Sequence, residues 1–130
     1  VKAVKNEMKK LQNKADIFVL LTHQGYDLDV EFAKKIDGLD LIVGSHSQTA
    51  IEKPKEINKT LIVQSGKAGY YVGLVKIKMK RGKVVEKSGK LDTMKFELPD
   101  DPRIIEMIEE YEKKSGRMNH RKKKLLGHDH

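Results

Sequence analysis

Ile17-Phe18-Val19-Leu20-Leu21 runs straight into Thr22-His23-Gln24-Gly25, and Leu39-Asp40-Leu41-Ile42-Val43 runs in the same way into Gly44-Ser45-His46-Ser47-Gln48-Thr49. Both apolar runs are short and partly β-branched, the composition of strands covered on both faces, as in a parallel sheet. Between them Val30, Ala33 and Ile36 share one face of a helix that Asp27 or Asp29 can cap, and Gly38 stands where a left-handed C-terminal cap is expected. Strand, helix and strand form a βαβ unit, whose right-handed crossover makes the strands parallel and brings both carboxyl ends to one edge. His23 and His46 both fall at that edge, where the ligands of open α/β sheets gather. The residues alone leave two readings open: two imidazoles with a common partner, or two separate surface histidines.

Working outward, Val4, Met8 and Leu11 recur at helical spacing and predict a helix over residues 1 to 13. Ala50 to Lys59 reads as an exposed excursion before a third short strand, Thr60 to Gln64. Gly66, Gly69 and Gly73 punctuate the next segment, which opens into a strand instead of a helix. They therefore suit turn geometry better than a phosphate-cradling loop. Val75, Ile77 and Met79 alternate with lysines, Arg81-Gly82-Lys83 supplies a turn, and a partner strand runs from Val84 to about Met94, giving an antiparallel hairpin with one wet face. Asp101-Pro102 starts a helix in which Ile104, Ile105, Ile108 and Tyr111 make the stripe expected to be buried, and Gly116 ends it. The expected division is a folded part over residues 1–115 and a basic flexible tail over 116–130.

Composition narrows the chemistry. With no cysteine among 130 residues, a metal here must be held by nitrogen and oxygen ligands. The net charge of +8 invites a polyanion, yet the lysines are scattered and only Arg121-Lys122-Lys123-Lys124 forms a compact basic block. At 5% aromatic residues the chain also lacks a base-stacking platform, which weighs against nucleic acid. No apolar run approaches the ~20 residues of a membrane span. The first residues read as amphipathic helix, without the regions of a signal peptide.

His46 and Gln48 stand two apart, so in an extended segment an imidazole nitrogen and an amide oxygen would point the same way. With His23 they make three neutral ligands and carry no charge to offset a divalent cation. No carboxylate of this chain has a matching placement. His128-Asp129-His130 imitates a ligand motif but follows the basic tail with no strand before it, and it is left outside the site.

Ala15 to Asp27, Ile36 to Thr49 and Val63-Gln64-Ser65-Gly66 to Gly73 together resemble the second half of the catalytic domain of 5′-nucleotidases, members of the calcineurin-like metallophosphoesterases. The resemblance runs from about residue 15 to residue 93. It implies a partial metallophosphoesterase sandwich of α/β class: a βαβ unit, antiparallel hairpin strands and a C-terminal helix. It also implies two divalent metal ions, zinc, manganese or magnesium, in the parent enzyme. His23 matches the histidine of the family's Ser-His-x-Gly segment, with Thr22 in place of serine. His46 matches the first histidine of Gly-His-x-His, with Ser45 in place of the glycine before it, and both histidines are implied ligands of one metal. Gln48 stands at the second histidine, an implied ligand of the other metal, and its amide oxygen, harder than imidazole, tilts that site toward manganese or magnesium.

The family's Asp-x-His pair, bridging Asp and Asn-His pair do not occur before Ala15. The expectation is therefore a fragment of an enzyme that hydrolyses phosphate esters, 5′-nucleotides or related nucleotide substrates, inactive without the missing N-terminal half of the catalytic domain. Family members are often periplasmic or at the cell surface. The alternative is a non-catalytic basic module that binds nucleic acid or another polyanion. A truncated sheet is further expected to expose a strand edge that invites self-association.

Overall fold

The computed structural model describes residues 1–116. The chain divides into two compact units, residues 1–95 and the part from Phe96 onward. The first holds helices α1 (Lys2–Leu11) and α2 (Tyr26–Lys35) and strands β1 (Val19–Leu21), β2 (Leu41–Val43), β3 (Glu56–Ile57), β4 (Thr60–Val63), β5 (Tyr71–Lys80) and β6 (Lys83–Thr93).

The βαβ unit forms as expected. Leu20 pairs with Ile42 and Ile42 with Ile62, so β1, β2 and β4 are parallel in the order β1-β2-β4-β3. Side chains in register share a face. Ile42 and Ile62 bury with Ala33, Ile36 and Leu39, and Leu20 packs against them with Val4 and Met8 of α1 and Val30 of α2. This layer of helix on sheet is the hydrophobic core, and it fixes where β1 and β2 end.

Four expectations are corrected. α2 is capped by Gly25 (φ 93°), not by Asp27 or Asp29; Asp29 lies inside the first turn and is fully buried. α2 ends at Lys35 with extended Ile36 as its C-cap, and Gly38 (φ 85°) takes its left-handed conformation in the turn beyond. The excursion 50–59 contains β3, which pairs antiparallel with β4 through the left-handed residues Asn58 and Lys59. Nor is β1 covered on both faces. Val19 and Leu21, in register with Leu41 and Val43, are 49% and 76% exposed.

The antiparallel hairpin β5–β6 turns at Arg81 and Gly82, with an irregularity between Lys78 and Met79. Lys87 fastens it to the sheet: its Nζ donates to the carbonyls of Asp40, at 3.0 Å, and Lys59. Near β4 the hairpin comes so close that a Cβ on Gly89 would lie 3.4 Å from Val63.

In the second unit α3 spans Pro102–Ser115. The Asp101 side chain caps it by accepting from the Arg103 N–H at 2.9 Å, and Gly116 (φ 68°) closes it. The expected buried stripe is a correction: Ile105 and Ile108 are half-buried while Ile104 and Tyr111 are exposed. Periodicity shows which face can be buried, not that something covers it. The tail from Arg117, with His128 and His130, lies outside the described residues.

Candidate metal centre

The parallel register delivers both histidines to one place. Thr22 continues β1 by donating its N–H to the Val43 carbonyl at 3.0 Å, and Gly44 continues β2 by donating to Val63 at 2.8 Å. The next residues leave the sheet side by side. His23 Nε2 and His46 Nδ1 stand 3.2 Å apart, with ring centroids at 5.0 Å and planes crossed at 71°. The two imidazoles are thus in contact with each other at the sheet edge.

The hydrogen-bond network assigns the tautomers. Ser45 Oγ donates to the Thr22 carbonyl at 2.6 Å, so toward His23 Nδ1, at 2.9 Å, it accepts. The His23 proton is thereby held on Nδ1 and the Nε2 lone pair is free for a partner. Here that partner is the N–H of His46 Nδ1. Ser45, which the resemblance placed where the family has glycine, is the residue that sets the His23 tautomer. Metal-binding histidines depend on such a partner for their second nitrogen.

The loop carrying His46 is not extended. Ser47 N–H donates back to the Ser45 carbonyl at 3.0 Å, and His46 has φ 76°, a γ-turn with a left-handed central residue. Gln48 is left-handed as well (φ 56°), so the argument that residues two apart in a strand point the same way does not apply to this pair. Gln48 is exposed, and no hydrogen bond joins it to either imidazole. A hollow of about 390 Å³ opens beside His46, lined by Gln24, Tyr26, Asp27, Leu28 and Thr49 among others.

The separation of the two imidazole nitrogens can be set against that of two ligands sharing one divalent ion. Metal–nitrogen bonds of about 2.0–2.1 Å place two ligands of one ion about 3.3 Å apart in a tetrahedron and about 2.9 Å apart at neighbouring octahedral positions. The observed 3.2 Å lies between these values. No group of three or more His, Cys, Asp or Glu able to hold a metal occurs among the described residues, so the pair is an incomplete donor set.

Two further residues shape the site and escaped the sequence reading. Gln64 accepts with Oε1 from Thr49 N–H at 2.7 Å and from Ser47 Oγ at 3.1 Å. Asp29 accepts on Oδ1 from Gln24 Nε2 at 2.9 Å. Gln64 follows the third parallel strand as His23 and His46 follow the first two, and that shared position was the available signal. Asp29 gave none, because its spacing suited a helix cap.

No protein-family model matches the chain. Among curated proteins, the trifunctional nucleotide phosphoesterase protein YfkN of Bacillus subtilis is 34% identical over 86 residues, 62% of this chain and 6% of that protein. The human 5′-nucleotidase is 28% identical over 124 residues, 80% of this chain and 22% of that protein. Among solved structures, the 5′-nucleotidase precursor of Thermus thermophilus superposes with a TM-score of 0.74 at 25% identity, over 88% of this chain and 26% of that one. The chain thus spans roughly a quarter or less of the length of each. The superposed fold, the paired histidines and the similarity over most of the chain agree: what the chain resembles, in sequence and in fold, is a stretch of the 5′-nucleotidases and related metallophosphoesterases.

Proposed function

We propose that this chain is the histidine-bearing part of a dimetal phosphoesterase whose substrates are phosphate esters of the nucleotide class. The observation that carries the reading is the 3.2 Å approach of His23 Nε2 to His46 Nδ1 at the carboxyl edge of the sheet. The names of the Bacillus and human relatives, a nucleotide phosphoesterase and a 5′-nucleotidase, support the substrate class.

In this reading His23 and His46 hold one divalent ion together, and Gln48 offers its amide oxygen to a second. Bound there, the two ions would polarise the phosphoryl oxygens and supply the nucleophile. The residues of the chain act as ligands, not as acids or bases. Ser45 keeps the His23 proton on Nδ1, and His46 would present Nδ1 as a ligand in its other neutral tautomer, with the proton moved through solvent to Nε2. Bridging carboxylate and leaving-group acid come from elsewhere in the longer protein, so the chain on its own does not turn over substrate.

Incubating the purified chain with adenosine monophosphate and manganese, magnesium or zinc tests this. Phosphate release is expected to stay at the level of metal ions alone. Robust hydrolysis that depends on His23 would contradict the partial-site reading.

A further inference from the structure

The loop 44–49 holds a conformation that an isolated segment would not keep. His46 and Gln48 both have left-handed backbone, at φ 76° and 56°, and such residues persist only where their surroundings over-determine them. Two side chains from other elements do so. Gln64, 3% exposed at the end of β4, grips the far side of the loop through Thr49 N–H and Ser47 Oγ. Ser47 Oγ in turn accepts from Tyr26 N–H at 3.1 Å, tying the loop to the start of α2.

Asp29 abuts the near side by close approach, without a hydrogen bond to the loop. Its carboxylate is fully buried and lies against Gly44, where a Cβ would stand 2.2 Å from Asp29 Oδ2 and 3.3 Å from Gln64 Nε2. Glycine at position 44 is thus required by close approach. Asp29 Oδ1 is held by Gln24, the neighbour of His23, so the same carboxylate touches the elements bearing both imidazoles. Asp29 Oδ2 and Gln64 Nε2 find no hydrogen-bond partner among the described residues. Buried polar atoms left unpaired destabilise a fold, and apolar side chains of the same shape would serve stability better. What these two residues contribute is position.

We infer that Asp29 and Gln64 are positioning residues of the metal centre. They bound Gly44–Thr49 from two sides, Gln64 by hydrogen bonds and Asp29 by close approach, so that His46 Nδ1 stays at ligand separation from His23 Nε2. The inference rests on the metal-binding reading above and adds the residues that set its geometry.

The Gln64→Met variant keeps the side-chain length and removes both accepted bonds. Zinc affinity, measured by calorimetry on the full chain well below its melting temperature, is expected to fall roughly 10-fold or more. In the metal-free variant, long-range proton–nitrogen spectra of the imidazoles are expected to show His23 leaving the pure Nδ1–H form for a mixture of tautomers, a change that a general loss of stability would not produce. Gly44→Ala, whose methyl meets the Asp29 carboxylate, is expected to behave alike and serves if Gln64→Met does not fold. Unchanged zinc affinity with the Nδ1–H form intact would overturn the clamp while wild-type binding leaves the metal reading standing. Absence of zinc at His23 and His46 in the wild type would overturn both.

Discussion

His46 stands at the centre of a γ-turn closed by Ser47 N–H on the Ser45 carbonyl, and its φ of 76° is one that a side chain opposes. Backbone of this kind costs on the order of 1–3 kcal/mol and persists where function requires it. His46→Gly relieves that strain, so the variant is expected to gain about 1 kcal/mol in stability. Its zinc affinity should collapse at the same time. A thermal melt paired with a zinc titration checks this trade, and a lowered melting temperature would contradict it. The placement of His23 and His46 was legible in the sequence because a βαβ unit leaves no other edge for residues that follow its strands. Ser45 was not, since the role of its hydroxyl depends on an approach to His23 and Thr22 that no spacing encodes. Asp29 misled for a related reason: an acid near a helix start usually caps it, and here Gly25 took that place and freed the carboxylate for the interior.

At the scale of elements, turn and cap chemistry read true at the hairpin and at α3, though not at the two ends of α2. Arg81-Gly82 makes the hairpin turn, and Asp101, Pro102 and Gly116 bound α3. Burial read less well, because it depends on what lies opposite; β1 and the apolar stripe of α3 show this directly. Asp101 also carries a pH dependence. The side-chain hydrogen bond from Arg103, with backbone N–H groups at the helix start, holds its carboxyl below the ordinary value of 3.8. A depressed folded value means that the stabilisation of α3 is fully present above pH 3.8 and is lost as pH falls through the lowered value. Circular dichroism of the chain should show helix content falling across that acid range. Asp101→Ala should show a lower helix content that no longer changes there. An identical acid transition in the variant would assign the effect to other groups.

Over the first unit, helices cover one face of the sheet while the hairpin approaches the other near β4, leaving Val19 and Leu21 of the edge strand β1 open. An edge strand with exposed apolar residues invites pairing with a second chain. The chain is expected to self-associate with rising concentration, and Leu21→Lys should return it toward monomer in sedimentation velocity; a wild type that stays monomeric would contradict this. Among the described residues, no helix is long and apolar enough to cross a membrane.

The central claim is that two imidazoles, delivered by parallel strands, are ligands of one ion. Zinc titrated into the nitrogen-15-labelled chain, with the ring nitrogens observed directly, tests it. If His23 and His46 share an ion, His23 Nε2 and His46 Nδ1 shift together, the His46 proton moves from Nδ1 to Nε2, and His23→Ala abolishes the change at His46. Independent shifts of the two rings, or shifts confined to His120, His128 and His130, would contradict it.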